Sequence, residues 1–322
     1  EAVYQNYSGD RNDPQFKAFE KYLKQVEFGN GAYHHYSTDK FTPEFNRHWF
    51  SRQLGDLDKS QPELMQRLKP AMPGIMRLIF DPTFLAKRVN QAEGADIIVT
   101  SANNMYEGVT QKEVEDYFNA IKDPNDPTPV SYGLNTKVVK RGDKVVEIPY
   151  MVGGLYSPAI ERIVENLEKA LPYAETLEQK KSIEELIRYY CTGDLKAFDE
   201  YSILWAGDTT PVVDFVNGFI ESYGDPLGMT GSWESIVNFK NQAASHRTEV
   251  VSSNAQWFED HSPVDPRFRK PHVKGVSAKV INAAILAGDA YPSTPIGINL
   301  PNSNWIRAAH GSKSVTIENI TQ

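Results

Sequence analysis

A single cysteine, Cys191, stands in 322 residues, so no internal disulfide can form and no multi-cysteine zinc ribbon is available. No run approaches the roughly 18 apolar residues that a membrane-crossing helix needs. Positive charge is short as well: 34 Lys and Arg face 42 Asp and Glu, for a net charge of −8. The densest basic stretch, Arg267-Phe-Arg-Lys-Pro-His-Val-Lys274, is brief and proline-interrupted, so neither nucleic acid nor a membrane surface is an expected partner. There is no Gly-x-Ser-x-Gly elbow for a serine nucleophile. Gly153-Gly154 precedes Leu155-Tyr156 and not a Lys-Ser/Thr pair, which removes a phosphate loop. The start carries no basic segment followed by an apolar one, so no signal peptide is read. Cys191 closes a helical pattern after Tyr189-Tyr190 with no His nearby in sequence, and reads as a packed core thiol. Sparse cysteine fits a cytoplasmic compartment. The periplasm stays open as the alternative, because the chain begins at Glu1 without a Met.

What is present is a soluble composition, 40% hydrophobic and 24% charged, with room for about two domains. Asp13-Pro14 predicts a helix start, followed by Phe16, Phe19, Leu23 and Val26 at helical spacing and a stop at Gly29. Thr42-Pro43-Glu44 predicts a second helix through Leu54, and residues 61–80 read as short helices broken by Pro70 and Pro73. Lys112–Lys122 is amphipathic. Val138–Ile148 reads as a hairpin turning at Arg141-Gly-Asp143. Ser157-Pro158 opens a strong helix, and Ile183, Leu186, Ile187 and Tyr190 mark another. Ser232 is read as capping a helix through His246, residues 250–274 as loop, Lys279–Leu286 as helix or strand, and Ile296–Leu300 as a strand. Helices, a hairpin, helices and then scattered strands indicate an α+β fold and not a doubly wound sheet.

The run Pro211-Val-Val-Asp-Phe-Val-Asn-Gly-Phe-Ile-Glu-Ser-Tyr-Gly-Asp-Pro-Leu-Gly228 sets Asp214 among strand-forming apolar residues. A carboxylate there needs cationic or hydrogen-bonding partners. The residues alone leave two partners open: an amine arriving with a ligand, or a structural contact within the chain.

This run resembles the corresponding strand and turn of the dipeptidyl peptidase III family, two-lobed zinc exopeptidases that release dipeptides from peptide N-termini. Ser182–Ala206, with Gly193-Asp-Leu-Lys-Ala-Phe-Asp and Ile203-Leu-Trp, resembles the family's approach to that strand, and Thr294-Pro-Ile-Gly-Ile-Asn-Leu-Pro-Asn302 resembles its second substrate-lining strand. The similarity is nearest to bacterial members. It implies a lower lobe built on a helix-wrapped, five-stranded β-barrel, with residues 1–234 its first part, 235–282 a helical excursion into an upper lobe, and 283–322 the return to the barrel.

The resemblance implies zinc in the intact enzyme, held by a His-Glu-x-x-x-His helix and a later Glu. Histidines 34, 35, 48, 246, 261, 272 and 310 are followed by His, Tyr, Trp, Arg, Ser, Val and Gly, never by Glu. The family's motif is therefore expected beyond Gln322, no zinc is expected on this chain, and the chain alone is expected to be inactive. The missing zinc-bearing lobe is then an expected partner. The His34-His35 pair, pointing to opposite faces of a strand, suits separate hydrogen bonds better than one metal.

By the same resemblance Asp214 holds the free amino terminus of a peptide substrate, assisted by Asn299 and Asn302. An ammonium donates three hydrogen bonds, which one carboxylate and two amide oxygens can accept. The Ile296-Gly297-Ile298 backbone would take the peptide as an added strand, with Gly218 and Gly297 allowing close approach. The sequence departs from vertebrate members at Val216, where they carry a transition-state tyrosine, and at Asp214, where they carry the longer Glu. A non-catalytic peptide-binding protein derived from that lobe is the alternative. A glycosidase pair of Asp214 and Glu221 is poor, since the two lie on opposite strand faces and over ~20 Å apart at ~3.3 Å per residue.

Overall fold

The computed structural model describes residues 1–273, 278–291 and 293–320, and the chain divides into two units, Glu1–Asn103 and Asn104–Gln322. The first unit is helical: α1 (Ala2–Asn6), α2 (Pro14–Phe28), α3 (Arg47–Ser60), α4 (Pro62–Leu68), α5 (Met72–Phe80) and α6 (Ile97–Thr100). Asp13 accepts the Gln15 amide at 2.8 Å and Pro14 fills the first helical position, so α2 begins where predicted. The next helix does not start at Thr42-Pro43. The Asn46 side chain accepts the Trp49 amide at 2.7 Å and caps α3 there. Phe16, Phe19, Tyr22, Phe45, Trp49 and Phe50 form an aromatic core, with Phe19 and Phe45 edge to face at 5.5 Å. His34 is a turn-builder whose Nδ1 accepts the Tyr36 and Ser37 amides.

The second unit starts with β1 (Tyr106–Glu107) and α7 (Gln111–Ile121), which Thr110 and Glu113 close with a capping box. The hairpin β2 (Thr136–Arg141) and β3 (Lys144–Pro149) follows, turning at Gly142 with φ +61°, and β1, β2 and β3 make one small sheet. Three helices come next: α8 (Ser157–Ala170), α9 (Leu177–Thr192) and α10 (Leu195–Gly207). The stretch Ser182–Ala206 holds two helices: Gly193, with φ of +71°, ends α9, and Asp194 caps α10. Cys191, expected in the core, is exposed at the end of α9 because the buried face belongs to Leu186, Tyr189 and Tyr190.

The rest of the unit is β4 (Val213–Glu221), β5 (Ser232–Lys240), α11 (Gln242–Ser253), α12 (Ala255–Asp260), β6 (Ala278–Gly288), β7 (Gly297–Leu300), α13 (Asn304–His310) and β8 (Lys313–Ile317). The helix expected from Ser232 is strand β5. Glu234, Ile236 and Asn238 alternate with more exposed residues, a period of two that the pairing with β4 enforces. Lys279–Leu286 resolves as strand. Residues 250–273, expected as loop, hold the end of α11 and α12. Ser232–Lys240 and Ala278–Gly288, at the two ends of the expected 235–282 excursion, are strands of one sheet.

These five strands form a sheet ordered β4-β5-β6-β8-β7. It is not a closed barrel: no pairing joins the outer edges of β4 and β7 among the described residues. It is nevertheless strongly curled. In a flat sheet β4 and β8, three steps apart, would lie about 14 Å from each other. Here Lys313 of β8 contacts Asp214 of β4 at 2.8 Å. Helices α8 to α10 pack on this sheet, and Leu186, Tyr190, Ile236, Ile281 and Ile317 are fully buried between the layers.

Candidate functional site

Strand alternation turns Asp214, Val216 and Gly218 to the same face of β4. Asp214 is 9% exposed, and its partners are internal. Lys313 Nζ donates to Oδ2 at 2.8 Å, while Oδ1 accepts from Trp205 Nε1 at 3.2 Å and from the Phe215 amide at 2.9 Å. Lys313 is 1% exposed and its ammonium also lies 4.2 Å from the centre of the Trp205 ring. Burial lowers the pKa of Lys313 and Asp214 opposes that shift. Of the two partners the residues left open for Asp214, the structure supplies the internal one. Its charge is already neutralised, and the expected grouping with Asn299 and Asn302 is not what its contacts describe.

Those asparagines lie at the other edge of the sheet. On β7, Ile317 N donates to Ile296 O at 2.9 Å. Antiparallel alternation therefore turns the backbone groups of Ile298 and Leu300 toward β8, and those of Gly297 and Asn299 toward the open edge. Asn299 and Gly297 are exposed. Just past β7, Asn302 Nδ2 donates to Glu221 Oε2 at 3.4 Å, and Glu221 also holds the Tyr223 phenol, which this bond and burial push up to about 12. The structure thus brings Asn302 to Glu221 and not to Asp214. At Gly218 a Cβ would meet the Phe198 ring at 2.8 Å, so the glycine makes room for that ring. The next β4 side chain, Asn217, faces the opposite layer, where it accepts from the Tyr190 hydroxyl and donates to Ser235.

Three further charges stand out within this unit. Glu234 on β5 is 7% exposed, and its carboxylate has no hydrogen bond or ion pair among the described residues. Burial, then Glu221 and Asp289, push its carboxyl up to about 7. Asp199 on α10 is 8% exposed and equally unpartnered, and burial with Glu200 and Asp194 pushes it up to about 7. Lys279 is brought down to about 8 by burial and by Lys313. A cavity of about 60 Å³ lies between α10, β4 and the end of β7, with Asp199, Phe198, Trp205, Val216, Pro301 and Asn302 in its wall. Sequence reading missed Lys313 because β8 was not anticipated. It missed Glu234 because its strand was read as helix, although the alternation Glu234-x-Ile236-x-Asn238 carries the signal. Asp199 lay in plain view inside a motif used only for recognition.

Among the described residues no group of three or more His, Cys, Asp or Glu is placed to hold a metal ion. The residues described do not fit a zinc ion, and no chemical step is derived through one. No helix among them is long and apolar enough to cross a membrane.

Peptidase family M49 matches residues 128–322. Dipeptidyl peptidase 3 of Homo sapiens is 32% identical over 167 residues, 52% of this chain and 22% of that protein. The Dictyostelium discoideum enzyme of the same name is 31% identical over 170 residues, 53% of this chain and 24% of that protein. The chain thus spans less than a quarter of the length of these relatives. Among solved structures, DPP III from Caldithrix abyssi superposes with a TM-score of 0.59 at 18% identity, over 96% of this chain and 56% of that one. Dipeptidyl-peptidase III from Corallococcus sp. strain EGB gives 0.56 at 19% identity, over 99% and 58%. The fold is shared across nearly the whole chain, the sequence match covers its second half, and together they make this chain a member of peptidase family M49, the dipeptidyl peptidase III family.

Proposed function

We propose that this chain is the peptide-binding part of a zinc-dependent dipeptidyl peptidase that releases dipeptides from the N-termini of peptides. The observation that carries the reading is the open edge of β7. It offers the Gly297 and Asn299 backbone groups to an extended peptide and ends beside Asn302 and Glu221. In this reading Gly297, Ile298 and Asn299 present the strand, and Asn302 marks the end where the peptide's free amine is received. Asp214 has a changed part: it fixes Lys313 and so the curl that brings β7 and β4 face to face. Gly218 seats Phe198 and touches no substrate.

The curled sheet corresponds to the family's barrel-like lower lobe, and residues 241–277 to the excursion toward the upper lobe. Val250, Val251, Trp257, Phe258, Val264 and Phe268 in that segment are all exposed. Clustered apolar exposure of this kind fits a surface made to be covered, here by the zinc-bearing lobe. The metal and its ligands would come from that lobe. In their absence the chain binds peptide and does not cut it; dipeptide release by the isolated chain, abolished by a chelator, would overturn this.

Calorimetric titration of the chain with a short peptide, free and N-acetylated, tests the reading. Binding that weakens on acetylation supports it. No binding of either form, or equal affinity for both, refutes it.

A further inference from the structure

Helix α8 buries only Ile160, near its start, although Ile163, Val164 and Leu167 continue the same apolar stripe half-buried. Past that first turn a groove of about 440 Å³ separates the helix from β4 and β5. Ile163, Leu167 and Ala170 form one wall, and Phe215, Trp233 and Val237 the other. The buried polar side chains that border it are committed within the chain. Gln179 donates to Val213 O at 2.9 Å and accepts the Glu175 amide at 2.7 Å. Asn217 bonds Tyr190 and Ser235, and Asp214 has Lys313.

The exception is a cation. Arg162 borders the groove, and its guanidinium has no hydrogen bond or ion pair among the described residues. The carboxylates beside it on α8 are engaged elsewhere: Glu161 accepts from Ser157 at 2.6 Å, and Glu165 from Lys169 at 2.6 Å. Arg162 also stands at a defined end of the groove. Glu175, just past the helix, accepts the Val212 and Val213 amides at 2.9 and 2.7 Å, which holds the far end of α8 at the start of β4. Arg162 therefore lies toward Asn217 and Trp233, about 12 Å from Ala170 at a rise of 1.5 Å per residue.

We propose that this groove binds a medium-chain fatty acid, with the carboxylate on Arg162 and the alkyl chain along α8 toward Ala170. Charge complementarity sets the head: a guanidinium with open donors takes a carboxylate in a bidentate fork. The walls set the tail. A peptide laid there would bury its amides against side chains that are apolar or already bonded, and Glu175 and Gln179 occupy the β4 edge at Val213. An alkyl chain has no such groups to satisfy. An extended chain advances about 1.2 Å per bond, a third of about 3.6 Å per residue, so roughly ten carbons reach from Arg162 to Ala170. None of the residues bordering the groove belongs to β7, so fatty-acid binding here stands or falls apart from peptide binding.

The test is calorimetry on the whole chain with decanoate, octanoate, decanol and decyltrimethylammonium, below their micelle concentrations and at about pH 8, where the acids are ionised. Decanoate is expected to saturate a single site. Octanoate binds on the order of ten-fold more weakly, at roughly a factor of four per buried methylene. Decanol, which lacks the charge, binds about ten-fold more weakly than decanoate, and the alkylammonium no better than decanol. Arg162→Gln removes decanoate's advantage over decanol and leaves the melting temperature unchanged, because the side chain is exposed. Ala170→Trp, at the exposed far end, shortens the groove and removes decanoate's advantage over octanoate. The Trp233 indole N–H resonance shifts on binding, and that of Trp257 does not. No decanoate binding, equal binding of decanoate and decanol, an unchanged affinity in R162Q, or a kept chain-length preference in A170W would each overturn the proposal. A shift at Trp257 alone would overturn it by assigning the acid to the exposed rings of α12. A dimer in sedimentation that A170W dissociates would give the groove to a second copy of the chain instead.

Discussion

Replacing Lys313 with Met tests whether Asp214 belongs to the scaffold. The Met side chain fills much of the same volume without charge, leaving Asp214, 9% exposed, with only Trp205 Nε1 at 3.2 Å and the Phe215 amide at 2.9 Å. Removing one partner of a buried ion pair costs about 3–5 kcal/mol, because the remaining charge stays desolvated. The two surviving donors place Lys313→Met near the lower end, about 3 kcal/mol. Asp214→Asn strands the Lys313 ammonium, 1% exposed, on its cation–π contact with Trp205 and costs a similar amount. The double variant carries neither charge, so its loss is well below the sum, with a coupling of roughly 2–3 kcal/mol. Urea unfolding of the four proteins, followed by far-UV dichroism, measures the cycle. Lys313→Met within about 1 kcal/mol of wild type, or additive single losses, would refute the scaffold role. The same proteins give a second reading. If Asp214 were the seat for a peptide amine, removing its internal cation would strengthen the preference for a free N-terminus, whereas the scaffold role weakens all peptide binding alike.

Glu234→Gln is expected to stabilise the chain. The folded carboxyl titrates at about 7 against 4.5 for an ordinary Glu, so the wild type loses stability as pH rises from 4.5 to 7. The loss levels off above that at about 3 kcal/mol. Denaturation midpoints of the two proteins should thus converge at low pH and separate above neutrality, and no separation by pH 8 would count against a buried, unpartnered Glu234. Gly218→Ala drives a methyl to within 2.8 Å of the Phe198 ring and should cost about 1–3 kcal/mol, with Phe198→Leu in the same chain restoring much of it; a neutral Gly218→Ala would leave the glycine free for a ligand after all. Replacing Trp257 and Phe258, both exposed on α12, with Ser should leave the melting temperature unchanged and lower the binding of a hydrophobic dye. A marked drop in melting temperature would show that these rings pack within the chain.

How much was legible in the residues depended on whether the signal was local. Asp13-Pro14, the Thr110/Glu113 capping box and the Gly142 turn are complete within a few positions, and their elements fell where the pattern placed them. Asn46 took the start of α3 from Thr42-Pro43 by a cap bond that competes with another plausible start four residues earlier. Ser232–Lys240 misled because Ile236, Val237 and Lys240 satisfy a helical spacing, while the strand period resides in the polar residues Glu234 and Asn238, which burial scales discount. Tertiary pairing with β4 decided between the two. Asp214 was flagged by its apolar neighbours, and that inference was sound as far as it went: a carboxylate there must have a partner. Which partner was not readable, because Lys313 lies 99 positions away on a strand that sequence reading did not find.

The interior of the curled sheet therefore holds two kinds of carboxylate, and the contrast between them bears on function. Asp214 is satisfied in every direction: a lysine, an indole and an amide point at it, and no ligand is needed to explain it. Asp199 and Glu234 are buried to a similar degree and face no donor among the described residues. Burial pushes both carboxyls up to about 7, so each weakens the fold when it ionises. Substitution by an amide would remove that penalty, so packing alone does not account for them. A cavity reaches Asp199, and the end of β7 borders it. Glu234 is close enough to feel the charge of Glu221, which accepts from Asn302, and it adds negative charge there when ionised. Neutralising Glu234 should accordingly lower the affinity for free and acetylated peptides unequally, reducing the first by a few-fold through long-range attraction that about 0.5 M salt also abolishes.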